Sequence, residues 1–538
     1  DPESLLKLGL ESEFGIDNVQ LTDISDEYVR ETQQLQTAIL EQLREYDRST
    51  LTQEQQISYD VYEWYLDDLV RGQKFIYHDY PVNQLIFSTD QVLIRFFEIH
   101  PLENVQDGDN YVTRLALIDE KFEQLIEALE LREDAGVVPP RFIVTWALGN
   151  VRGVANTSPT VTSFYTSLEE RLDGVSEIER QAILEEAEDA IADTVLPAFQ
   201  ALVSYLQHLE SVAPIDDGLW QFPDGDRYYD YLLRHFTTTD LTADEIHELG
   251  LRELDRIHDE MRAAFGELGY GEDSELTQLY GRAARDGGFV PGSQMIGAYE
   301  GIIAEAEQNL FAAFDIQPTQ EVIVVSDPVG GFYMPGSTDG SRPGAFHANV
   351  RNGRWWYNMP TLAYHEAVPG HHHQIGIARD LDLPAFRNLV SFTGYVEGWA
   401  LYAERLAWEL GWYDNDPYGN LGRLQFEAFR AARLVVDTGI HSKGWTYDQA
   451  VDFFIDNTGF DRGTAEYQIG RYIAMPGQST AYMVGMLRLL ELRDMAMEEL
   501  GDNFDLVDFH HVVLSNGSMP LDVMDEVIEQ YIEENLTE

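Results

Sequence analysis

The stretch Tyr364-His365-Glu366-Ala367-Val368-Pro369-Gly370-His371-His372-His373-Gln374 constrains this chain most, because it sets a helix-breaking Pro-Gly pair between histidines. The order is that of H-E-x-x-H, in which two His on one helical face hold a metal and the Glu polarises a water. The spacing departs from it. Pro369 stands four residues after His365, and the first downstream His, His371, stands six after it. On an unbroken helix that spacing would turn the two rings about 120° apart, at about 100° per residue. Pro369 lacks an N–H and clashes with the preceding turn, while Gly370 tolerates unusual dihedrals. A helix that bulges at Val368-Pro369-Gly370 brings His371 to the place of the second ligand. His372 is the alternative, depending on how the bulge is built. The plain alternative to a metal site is a His-rich surface turn that picks up metal adventitiously.

A third ligand is expected downstream. Ser391 to Gly411 has a helical pattern, and Glu397, Leu401 and Glu404 lie along one face at spacings of four and three. A carboxylate on an aromatic-rich, packed helix needs a partner, because burying an unpaired charge is costly. The expected ligands of one Zn2+ per chain are His365, His371 and Glu397, with Mn or Co able to use the same donors; an Arg-paired structural carboxylate is the alternative for Glu397. Glu366 is the expected general base. Glu404 is either hydrogen-bonded to a ligating His or a structural carboxylate paired with an Arg, and His372 is assigned with it to the surround of the metal. The stretch Glu466 to Tyr482 starts helical, breaks at Pro476-Gly477 and resumes near Gln478. Tyr482, with Tyr472, is a candidate hydrogen-bond donor to an oxyanion. Arg471 or Arg342 is a candidate clamp for a substrate carboxylate, with Tyr333 on the same substrate side. Taken alone, the stretch also reads as a kinked helix with packed tyrosines.

The remaining pattern is mainly helical. Helices are expected over 26–71 with a break at Ser49-Thr50-Leu51-Thr52, and near 109–132, 175–210 and 242–268. Thr52 and Thr242 are the expected caps, with Glu245 completing a capping box. Tyr59, Tyr62, Trp64 and Tyr65 read as packing core, and His247 as a structural residue. Strands are expected at 321–326 and 345–350, an ordinary hairpin or an edge against which an extended peptide could lie. Between them Gly330 to Gly336 reads as a Gly/Pro-rich segment. No linker divides the chain. Residues 1–320 are expected as a helical portion forming one wall of a cleft, and 321–538 as the catalytic portion of one continuous unit.

The charge balance excludes whole classes of partner. Lys and Arg number 35 against 95 Asp and Glu, a formal net charge of −60. Lys7, Lys74, Lys121 and Lys443 are the only lysines. Phosphate binding needs positive charge, so no nucleic-acid partner is expected. No run of about 18 apolar residues occurs, so no membrane insertion is expected either. An acid-rich, lysine-poor chain with ordinary apolar content reads as halophilic. The absence of Cys excludes disulfides, thiol nucleophiles and Cys-ligated metals. A chain opening Asp1-Pro2-Glu3 reads as an exported mature chain, periplasmic or extracellular, of a salt-adapted organism. The alternative is a cytoplasmic protein of a halophile.

Five segments together resemble the prokaryotic family known as domain of unknown function 885, regarded as zinc peptidases of the zincin group. They are Leu241 to Gly250, Asp339 to Gly344, His365 to His372, Glu397 to Glu404, and Arg471-Tyr472 through Pro476-Gly477-Gln478 to Tyr482. The resemblance spans about residues 20 to 535. It implies a large helical zincin-like metallopeptidase fold with a small β-sheet, the zinc helix lying across a deep active-site cleft. The reaction expected is hydrolysis of short peptides, of carboxypeptidase or oligopeptidase type. A non-peptidase amide or ester hydrolase and a catalytically silent peptide- or metal-binding protein are the alternatives, and a homo-oligomer is left open.

Overall fold

Side-chain caps set where the helices begin. The Thr52 hydroxyl accepts from Gln55 N–H while the Gln55 side chain returns to the Thr52 backbone, opening helix Gln53–Gly72. Thr242 and Glu245 make the same reciprocal box at the start of Ala243–Glu267, and each such cap contributes about 1 kcal/mol. The computed structural model describes residues 1–8, 19–215, 217–271, 274–337, 340 and 342–536, and the architecture is mainly α with a small sheet. Asp339 and Ser341 of the glycine-rich 339–344 segment lie outside the described residues. No helix among those described is long and apolar enough to cross a membrane.

Two helices expected as continuous are interrupted. The 109–132 pattern is split into Val105–Leu115 and Ile118–Asp134. The 175–210 pattern runs as Glu177–Ala190, a π turn over Ile191–Val195, and Leu196–Val212. Pro197 explains the second interruption: it has no N–H for the ladder and its ring crowds the preceding turn. Of the tyrosine stripe only Trp64 is buried core, edge-on to Phe392 at 5.4 Å; Tyr59, Tyr62 and Tyr65 are half-buried, with Tyr62 against Phe386 at 4.6 Å. His247 is structural, bonded to the Thr438 hydroxyl at 2.8 Å.

Buried side chains form two hydrophobic clusters. One gathers residues such as Phe97, Tyr111, Phe122 and Phe199. The larger one contains the His365 segment, Trp399 and Leu434. Through the larger cluster runs helix Pro417–His441, buried without a gap from Leu421 to His441. Its polar residues each anchor a neighbour. Glu427 accepts from Arg423 Nη1 at 2.6 Å and from Arg256. Asp437 accepts from the hydroxyls of Tyr229 and Ser479, both at 2.7 Å, and from Gly477 N at 2.9 Å. Burial raises the Asp437 pKa to about 6. The Pro476-Gly477 break, and the helix that resumes after it, are thereby held against the central helix.

The strands Ile323–Ser326 and Ala345–Ala348 form as expected, but they pair in parallel, so they are not a hairpin. A third strand, Phe332–Met334, lies antiparallel to Ala345–Ala348 within the segment expected to be loop. Gly330 and Gly331 make this possible. Both adopt positive φ, 62° and 77°, and a Cβ on Gly330 would fall 2.0 Å from Asn349 N. The tight turn sends the chain back along the far edge of Ala345–Ala348. A second, two-stranded sheet pairs Phe289–Val290 with Arg354–Trp355.

Candidate metal centre

The histidine segment is built as two helices, not as one helix with a bulge. Met359–Glu366 is buried at every position and ends at Glu366; a new helix begins at His371. Between them the Val368–Pro369 peptide is cis. Gly370 passes so close to the first helix that a Cβ would lie 2.0 Å from the His365 carbonyl oxygen. Trp399 Nε1–H donates to the Pro369 carbonyl at 2.8 Å, tying the break to helix Thr393–Glu409. The result is that the His365 and His371 rings stand edge to face, 4.8 Å apart.

Helix Thr393–Glu409 brings the carboxylates. Gly398 lets it sit directly on helix Ala481–Leu500: a Cβ there would meet Gly485 Cα at 2.6 Å. Glu397 Oε2 lies 3.5 Å from His365 Nε2 and 3.3 Å from His371 Nε2. It makes no hydrogen bond to either, nor to any other described residue, although the atom is buried. One donor atom from each of His365, His371 and Glu397 lies within 4.8 Å of the others. Two ligands on a tetrahedral zinc at about 2.0–2.1 Å stand about 3.3 Å apart, so these separations fit a shared ion better than they fit hydrogen bonds. The donor set of two imidazoles and one carboxylate is also suited to zinc.

Seven residues after Glu397, Glu404 faces both a histidine and an arginine. His365 Nδ1–H donates to Glu404 Oε1 at 2.8 Å, which turns the Nε2 edge of the ring toward Glu397 and His371. The Thr361 hydroxyl donates to Glu404 Oε2, and Arg430 Nη2 lies 3.6 Å from Oε1.

The electrostatics favour positive charge at the His365 imidazole. Burial alone would lower the His365 pKa, but Glu397, Glu404 and Glu366 outweigh it and raise it to about 10. Burial works the other way on Glu397, whose carboxyl is held well below its usual range by His371 and His365. Glu366 feels the same two imidazoles, but there burial outweighs them and pushes the carboxyl up.

The other candidates divide. The Tyr482 ring lies 6.3 Å from the His365 ring and nearly parallel to it. Arg471 Nη2 donates to the Tyr482 oxygen at 3.3 Å and to Gln478 Oε1 at 2.9 Å, and it feels the charge of Glu397. Tyr472 is placed differently. It is fully buried, and its phenol accepts from Arg433 Nε at 3.1 Å and donates to Gln468 Oε1 at 3.3 Å. His372 points away from the triad: its Nε2–H donates to the Gln320 carbonyl at 3.0 Å and its Nδ1 accepts from Tyr333 at 3.1 Å. Burial lowers its pKa to about 4, so it is neutral there. Tyr333 is thus a partner of His372, and Arg342 sits on the same side, close enough for its charge to act on Tyr333 and Arg379. The sequence reading missed Arg430 and Arg433. The available signal was two Arg three apart in the otherwise apolar Ala428 to Val436 of a highly acidic chain.

The chain matches the family model described as "Bacterial protein of unknown function (DUF885)" over residues 2–528. It is similar to the crystal structure of a protein named "putative lipoprotein" from Colwellia psychrerythraea. The two are 29% identical, with a TM-score of 0.93 over 99% of this chain and 96% of that one. A second solved structure, a "putative lipoprotein of unknown function" from Shewanella oneidensis, shares the fold at 18% identity. Its TM-score is 0.75 over 98% of this chain and 96% of that one. No curated protein is significantly similar to the chain.

Proposed function

This chain belongs to the DUF885 family, and on that premise we propose that it is a zinc-dependent metallopeptidase of zincin type that hydrolyses short peptides. One observation carries the reading. The buried Glu397 Oε2 faces two imidazole Nε2 atoms without a hydrogen bond to either, while Glu404 fixes the ring of His365 from behind.

His365, His371 and Glu397 would hold the metal. A zinc ion supplies Lewis acidity, polarising a carbonyl and lowering the pKa of water. Glu366 follows directly on His365, and its burial-raised carboxyl is suited to take a proton from water and pass it to the leaving amine. Tyr482, stacked beside His365 with its oxygen next to Arg471, is positioned to donate to a developing oxyanion. The triad is not sealed: the Glu397 side chain keeps 19% of its exposure against 4% for His365, so a substrate approaches a cleft from the Glu397 side.

The two lipoprotein-named neighbours support an exported or envelope location. The excess of 95 acidic over 35 basic residues supports a working environment of high salt.

The test is metal content and peptide hydrolysis in molar salt, comparing wild type with Glu366→Gln. The expected result is one zinc per chain in both, with hydrolysis reduced at least about 100-fold in the variant. Absence of stoichiometric metal from both proteins would sink the centre. Zinc in both with equal hydrolysis would remove Glu366 as the base.

A further inference from the structure

The buried arginines around the centre do not all have counter-ions. Arg423 pairs with Glu427 at 2.6 Å, and Arg430 lies 3.6 Å from Glu404. Arg433 and Arg471 form no ion pair among the described residues, in a chain where acidic groups outnumber basic ones 95 to 35. Arg433 is only 3% exposed. Its guanidinium lies between the Phe429 ring at 4.1 Å and the Tyr482 ring at 4.4 Å, its Nε bonds Tyr472, and its buried Nη1 has no partner among the described residues. Among the described residues Arg471 donates only from Nη2, to Gln478 and Tyr482, and its buried Nε has no partner. Aromatic faces offset part of the cost of burying a cation, but they do not replace an anion.

Both cations converge on Tyr482, one aromatic ring away from His365. We propose that Arg471, with Arg433 behind it, forms a subsite for one carboxylate of the substrate, so that the bond cleaved is the one next to a free C-terminal α-carboxylate. This rests on the hydrolase reading above and names its substrate class: peptides or N-acyl amino acids released one residue at a time from the carboxyl end. The geometry suits that assignment. The last peptide bond and the terminal carboxylate flank a single residue, and a single tyrosine, Tyr482, stands between the arginines and His365. A planar guanidinium with free N–H groups matches a planar carboxylate.

The test uses the zinc-loaded full chain and pairs of short peptides identical except for a C-terminal carboxylate or carboxamide. The expected kcat/KM ratio of acid to amide is about 30-fold or more, as for loss of a charge-assisted contact, and Arg471→Gln brings that ratio below about threefold. Equal cleavage of acid and amide by wild type overturns the subsite while leaving the hydrolase reading intact. If neither peptide is cleaved, the hydrolase reading fails, and calorimetric titration of the same pair decides the subsite by itself. Tighter binding of the acid supports it; equal binding, or none, overturns it. The wild-type comparison stands even if the variant does not fold.

Discussion

Within nine residues, His365 and His373 meet opposite fates. His365 is surrounded by Glu366, Glu397 and Glu404, which raise its pKa to about 10 despite complete burial. His373 is equally buried, packs edge-on to Phe314 at 4.7 Å, and has no hydrogen-bond partner at either nitrogen among the described residues. Burial there lowers its pKa to about 3. Burial therefore does not by itself decide whether a histidine carries charge. What distinguishes the two is the carboxylates that neighbouring helices direct at the ring, and His372, held by Tyr333 and Gln320, falls on the neutral side with His373.

Replacement should separate the two classes most sharply. His371→Ala is expected to lower zinc affinity by a factor on the order of a thousand, abolishing stoichiometric metal in elemental analysis. His373→Leu should keep one zinc per chain, and removing its unsatisfied nitrogens should leave stability unchanged or raise it by about 1 kcal/mol. Loss of zinc from both variants alike would erase the distinction.

The pH response is the next largest effect. The folded-state pKa of His365 is about 10, above its ordinary 6.5. In metal-free protein, protonation of His365 thus contributes stability that is fully present below about pH 6.5 and is lost as the pH rises through about 10. Zinc must displace that proton, so its affinity should rise about tenfold per pH unit across this window. Competition titrations at two pH values would measure it, and a flat profile would remove the carboxylate field as the cause.

Glu404→Gln keeps the shape but weakens the hold on His365 Nδ1, and should cost about 10- to 100-fold in zinc affinity. The smallest effect should come from His372→Ala. Two hydrogen bonds are lost, for about 1–2 kcal/mol in thermal or denaturant unfolding, with zinc stoichiometry unchanged. Depleted zinc in this variant would instead place His372 in the centre.

Much of the centre was legible because its chemistry is local. His365, Glu366 and His371 lie within seven residues, and Glu397 and Glu404 share one face of a single helix. The arginines were not legible. They lie on a helix buried all round, where periodicity cannot say which neighbour each side chain meets. Nor was strand Phe332–Met334: three residues between turns carry no alternation to detect, and its partner Ala345–Ala348 comes only after an intervening loop.

By itself the sequence determined the helical class, the caps at Thr52 and Thr242, the break at Pro369-Gly370, and which residue types cluster there. These follow from short-range rules of backbone sterics, capping and residue chemistry. Tertiary structure alone decided that the break separates two helices, that His371 and not His372 joins His365, and that Tyr472 faces Arg433. It also decided that Glu404 serves a histidine and an arginine together. Those outcomes depend on directions in space. A rotation of about 100° per residue moves a ring from one set of neighbours to another, and only the packed helices say which neighbours are present.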